Sequence, residues 1–325
     1  MKKSLMMLGA AAMVLASCTQ NEVMEVAENR AIQFNSFVNN NTKADVTEVT
    51  SLTGFYVFGE FGDTEGTYST QVFANESNSN THYWVASKFY SFGAYANGEN
   101  GQIANAQFNA SSGTITFPEY TPNNQYDLVA AVNKLQSNAD VTANSPVQLD
   151  FKHMLSQVKL TFKTTDADAY TLKISELNIA GAVSKATGTY NGTPNWSDIK
   201  ASEGYTFDDI ADVAVAENDY TASVERIVIP QSNENLTVTF KATISGSGMT
   251  EKSSTFTASL KYTPDAQDGK GTEKLWTAGY RYNYIATINA DQIDPSLENQ
   301  KIEFTPSVTP WIDANDTDKG ELTKD

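Results

Sequence analysis

The sequence predicts an all-β protein built of two tandem β-sandwiches, and three observations carry that expectation. From Ala31 onward, apolar and polar residues alternate with a period of two in run after run, as half-buried strands require. Runs with the helical period are nearly absent. Between the runs lie stretches rich in Asn, Ser and Gly, such as residues 75–81 and 97–101, which supply turn conformations. A sheet with one apolar face has to bury it. With no amphipathic helix available, the cover is a second sheet. A composition of 40% hydrophobic and 19% charged residues agrees with a folded, not a disordered, chain.

Taken in order, residues 1–17 have the pattern of a secretory signal peptide: Lys2 and Lys3, an apolar run from Leu5 to Ala16, then small residues. That run is shorter than the roughly 20 residues that cross a bilayer as a helix, and no later run is longer. Leu15, Ala16, Ser17 and Cys18 match a lipobox, which marks Cys18 as the acylated first residue of the mature protein. Cys18 is the only cysteine in 325 residues, so the mature chain is expected to be held by packing and not by disulfides. Residues 18–30 form a polar, acidic lead segment, containing Val23, Met24 and Val26 as a poorly patterned strand.

The first sandwich is assigned to residues 31–145. It carries the alternating sets Ile32, Phe34 and Ser36; Phe55, Val57 and Gly59; Ile115 and Phe117; and Tyr126, Leu128, Ala130 and Val132. A polar stretch without alternation, residues 136–145, marks the expected boundary. The second sandwich, with a polar tail, is assigned to residues 146–325. Its runs include Val158, Leu160 and Phe162; Leu236 to Ile244; Phe256 to Tyr262; and Tyr282 to Ile288. Between Ile174 and Leu177 the alternation slips by one residue, which predicts a β-bulge. Residues 207–216 are the one weak helical candidate, expected to be a turn in a loop.

The formal charge of −17 makes nucleic acid and anionic membrane faces poor partners, and a soluble, self-repelling surface is its simplest meaning. Catalytic chemistry is not expected. The chain has only His82 and His153, both read as hydrogen-bonding residues, and no cysteine besides Cys18. Its many carboxylates do not single out an acid/base pair. The acidic tail from Asp313 lacks the spacing of a calcium loop, so neither metal nor cofactor is expected. Of Trp84, Trp196, Trp276 and Trp311, three are assigned to the core. Trp196, with Asn195 beside it and Gly192 close by, is placed in a loop as a glycan contact, the basis of an alternative reading as a surface glycan-binding lipoprotein.

Several segments together resemble the fimbrillin family of Bacteroidales, the lipoprotein subunits of type V pili. They are the lipobox at Cys18; Ile32, Gln33 and Phe34 followed by Asn41 to Ala44; Phe151 to Val158; Ile229, Pro230 and Gln231; Leu275 to Tyr280 with Tyr282 and Tyr284; and Val308 to Trp311. The order and spacing of these pieces carry the likeness, which spans almost the whole chain. The resemblance implies transthyretin-like sandwiches, attachment to the outer membrane through the lipid, and location on the cell surface and in the pilus. It also implies removal of the lead segment by an arginine-specific surface protease, and assembly with other pilus subunits by strand exchange. Arg30, just before Ala31, fits the cleavage site, with Lys43 as a lesser alternative. The donor strand is assigned to Ile302, Phe304 and Val308, with Pro306 suited to an edge, although the same segment also fits the last strand of its own domain. The polar tail after Trp311 is a poor strand to insert, which leaves shaft, tip and anchor roles open.

Overall fold

The computed structural model describes residues 31–38, 52, 54–98, 100–124, 126–137, 145–164, 170–197, 204–213, 221–246, 250–260, 275–293 and 305–310. Strands dominate them, with a single helical turn, α1 (Ala290–Ile293). The fold is all-β. The strands lie in four sheets.

The first sheet has six strands in the spatial order β1 (Phe34–Val38), β8 (Val147–His153), β7 (Val129–Gln136), β4 (Phe89–Ala96), β2 (Tyr56–Gly62) and β3 (Thr70–Ser77). Both of its faces are apolar, so its central strands alternate less cleanly than a half-buried strand does. On one face Val57, Phe92, Ala94, Leu149 and Phe151 pack with Phe55 and Trp84 from the connections. The Phe34 ring lies 5.4 Å from that of Phe73, although β1 and β3 are opposite edges of the sheet, so the sheet curls around this cluster. The other face, through Phe58, Tyr95 and Ala130, meets Ile115 and Phe117 of a second sheet ordered β12 (Pro194–Ser197), β11 (Ala186–Tyr190), β6 (Thr114–Tyr120) and β5 (Gln107–Asn109). The contact is closest at Gly93, where a Cβ would stand 2.7 Å from the Phe108 ring and 2.9 Å from Ile115.

The remaining two sheets share one core. One runs β13 (Tyr205–Thr206), β10 (Thr171–Ala180), β15 (Thr237–Ser245) and β16 (Lys252–Ser259), and the other β14 (Thr221–Val228), β9 (Ser156–Lys163), β17 (Tyr280–Thr287) and β18 (Thr305–Pro310). Val158, Leu160 and Phe162 of β9 and Tyr282, Tyr284 and Ala286 of β17 face Ile174, Ile179, Val238 and Phe240. These are the alternating residues that the sequence places on one face of each strand. The predicted bulge is present: the register of β10 against β15 shifts between Ser175 and Asn178, and Glu176 takes a φ of 56°.

Two expectations are corrected. Sheet pairing puts residues 147–153 on the first unit's side of the boundary expected at 145/146, because β8 pairs with both β1 and β7; the polar stretch 136–145 joins neighbours within one sheet. Strands β11 and β12 also belong to the first unit, through pairing of β11 with β6. Trp196 sits in β12 instead of a loop. The 207–216 segment, expected to be a turn in a loop, holds no helix over its described residues 207–213, and Ile210 makes an antiparallel bridge to Ile174.

Burial perturbs several tyrosines. Desolvation pushes the Tyr95 and Tyr190 hydroxyls from 10.0 up to about 12, and it pushes Tyr120 and Tyr205 up further still. In the unfolded chain Tyr95 and Tyr190 ionise near 10, so their contribution to stability is whole below that pH and lost as pH rises toward about 12. Urea unfolding followed by circular dichroism is therefore expected to give a free energy that falls across that window. Tyr190→Phe should make the fall shallower, and an unchanged slope would contradict this assignment.

Candidate functional site

A dense set of buried contacts lies where the chain first passes from the first unit to the second. His153 ends β8 and Ser156 begins β9, so the crossing is made by only Met154 and Leu155, both fully buried in the cluster that also holds Phe117 and Ile229. Their backbones are stitched to both sides. Met154 N donates to Leu128 O (2.8 Å), and Gly279 N donates to Leu155 O (2.8 Å). Gly279 has a φ of +79°, a left-handed conformation that glycine adopts without the steric cost of a side chain. Ser156 Oγ donates to Thr277 O (2.7 Å), and the His153 Nδ1 is paired with the Asp127 carboxylate, both side chains being nearly buried.

Gln231 locks the opposite wall. Its Oε1 accepts from Val183 N (2.7 Å) while its Nε2 donates to Val183 O (2.9 Å) and Ile229 O (3.1 Å), and its own carbonyl accepts from Trp276 N (2.9 Å). Tyr205 completes the clamp: its hydroxyl donates to Val183 O (2.7 Å) and accepts from Ile229 N (2.9 Å). Trp276 is fully buried, with its Nε1 donating to the Tyr284 hydroxyl (3.0 Å). Such fully bonded buried polar groups fix one arrangement, because leaving any of them unpaired is costly.

Beside this clamp a cavity of about 380 Å³ opens between the units, lined among others by Lys152, Trp196, Pro230, Leu275, Thr277 and Tyr280. Trp196 is half-buried. Its Nε1 donates to Met154 O (2.8 Å), its ring stands 5.8 Å from Tyr120, and its benzene edge lies over Gly188, its partner on the adjacent strand. A Cβ at Gly188 would fall 2.9 Å from that edge.

The other residues singled out from sequence lie elsewhere. Cys18, Arg30, Lys43, Ile302, Phe304 and Trp311 fall outside the described residues. Ala31 makes an antiparallel bridge to Tyr83, and Ile32 N donates to His82 O (2.8 Å), so the first described residues are held against the loop after β3. Near them His82 Nε2 lies 3.1 Å from Glu76 Oε1. Desolvation alone would raise the Glu76 carboxyl, but its bonds to Asn80, Ala74 N and His82 outweigh that and hold it below the ordinary value. Val308 lies on β18, opposite Tyr282, and β18 is an edge strand, which suits Pro306. Trp84 and Trp276 are core residues. Among the described residues no helix is long and apolar enough to cross a membrane, and no group of metal-binding side chains occurs.

A family model described as fimbrillin-like matches residues 25–311, which include every strand named above. The chain belongs to the fimbrillin-like family. No curated protein matches it. Among solved structures, a candidate cell adhesion protein from Bacteroides ovatus is 17% identical, with 87% of this chain and 98% of that chain covered, at a TM-score of 0.47. One from Bacteroides uniformis is also 17% identical, with 87% and 99% covered and a TM-score of 0.43. The fimbrial anchor protein Mfa2 from Porphyromonas gingivalis is 12% identical, with 87% and 98% covered and a TM-score of 0.39.

In this fimbrillin-like chain, Gln231 and Gly279 were visible in the sequence only as parts of short motifs, because no local pattern reports a hydrogen bond made across 48 residues of chain. Gln231→Leu keeps the volume but removes the bonds to Val183, and it is expected to lower the unfolding free energy by about 3 kcal/mol in urea titration. A loss below about 0.5 kcal/mol would show that the clamp is dispensable.

Proposed function

We propose that this protein is a subunit of a cell-surface pilus that supports adhesion. It is exported as a lipoprotein acylated at Cys18, trimmed by an arginine-specific surface protease between Arg30 and Ala31, and joined to other pilus subunits by strand exchange. Membership of the fimbrillin-like family across residues 25–311 is the observation that carries this reading. Two structural features support it. Strand β1 begins four residues after Arg30 and, among the described strands, occupies a sheet edge, with one side of its backbone paired to β8. Strand β18 occupies an edge of the other unit, near the C-terminal end of the chain.

Exposed edges offer unpaired backbone groups to an incoming strand, and apolar side chains on alternate positions provide the driving force. A strand burying five such side chains, at roughly 1.5–3 kcal/mol each, gains on the order of 10 kcal/mol before ordering costs. In this scheme Ile302, Phe304 and Val308 form the donor strand. Until cleavage the lipid on Cys18 keeps the precursor in the outer membrane.

N-terminal sequencing of the surface protein is expected to give Ala31 as the first residue. Arg30→Ala should leave the precursor lipidated and abolish polymers on denaturant-free gels, while monomer stability stays unchanged. Fibres built from chains that retain residues 18–30 would overturn the cleavage step.

A further inference from the structure

The cavity beside the Met154–Leu155 crossing differs in charge from the rest of the molecule. The chain has 39 acidic against 22 basic residues, yet among the described residues no carboxylate lines this cavity. Its cationic side chain is Lys152, whose Nζ makes only a long contact of 3.4 Å with Gly192 O, whereas the neighbouring His153 is engaged by Asp127. A charge-assisted bond donated by Lys152 Nζ to an incoming carboxylate would be shorter and stronger than that contact.

The walls combine apolar and polar groups in the proportions of a small-ligand site. Trp196 provides a half-buried indole and Leu275 is 41% exposed, while Thr193 and Asn195 add hydroxyl and amide groups. The indole is immobilised before any ligand arrives, by its bond to Met154 O and its seat on Gly188. Binding against it therefore costs little side-chain entropy. At about 380 Å³ the cavity lies at the small end of the range of about 300–1,000 Å³ for ligand sites, enough for one or two rings. A purely apolar ligand would strand the hydroxyl and amide groups, and a bare anion would leave the indole unused. A neutral sugar would leave Lys152 without a counter-charge.

We propose that this cleft binds an acidic sugar, a pyranose ring bearing a carboxylate, with the ring against Trp196 and the carboxylate at Lys152 Nζ. The site would give the protein an adhesive specificity for acidic glycans, and it does not depend on how the chain assembles.

Galacturonic acid and galactose are a matched pair, since they differ only in a carboxylate against a hydroxymethyl group. Isothermal titration of the intact mature chain is expected to show galacturonic acid binding at least about tenfold more tightly than galactose. Lys152→Met should abolish that preference without moving the thermal midpoint. Gly188→Ala, outside the cavity but beneath the indole, should weaken both sugars together. Absence of galacturonic acid binding overturns the site. Equal binding of the two sugars, unaltered by Lys152→Met, overturns the acidic specificity.

Discussion

Two buried residues, Met154 and Leu155, carry the chain between sheets that share no strand, and the rest of the architecture is arranged around that crossing. On one side β8 receives β1 in parallel, and on the other β9 receives β17 in parallel. Strand β1, the first described, and strand β17, the last but one, are thus recruited to one continuous stretch, residues 147–163. Parallel pairing requires long connections, so both closures are non-local. Burial of the crossing in a cluster that takes residues from both units explains why the polar clamp of Gln231 and Tyr205 sits beside it: loop and strand ends that meet there must have their backbone groups satisfied.

Much of this was legible in the sequence. Alternation identified β9, β15 and β17 and the faces they bury, and the slip between Ile174 and Leu177 located the bulge at Glu176. A period of two reports which face a residue occupies, but it does not report which strand is its neighbour or in what direction that neighbour runs. The allegiance of β8 was therefore hidden. The polar run before it has the composition of a linker, yet Val147, Leu149 and Phe151 complete the first sheet.

Trp196 shows the same limit at the level of one side chain. Its Asn and Gly neighbours are turn formers, which pointed to a loop, but the indole covers Gly188 across a strand pair and donates to a backbone carbonyl 42 residues away. The side chain is half-buried, whereas Trp84 and Trp276 are fully enclosed. The clamp residues were harder to see. Gln231 and Tyr205 act through bonds to backbone atoms, and any residue but proline at position 183 would supply those.

The parallel setting of β1 on β8 also bears on mechanics. A pull on the N-terminal end of β1, resisted at the C-terminal end of β8, runs along the strands, so all five register pairs from Phe34–Val147 to Val38–Phe151 share the load instead of parting one after another. Rupture in that geometry is limited by the rate of a concerted step and not by equilibrium stability. A body tethered through residue 31 would consequently resist tension far better than its modest edge pairing implies.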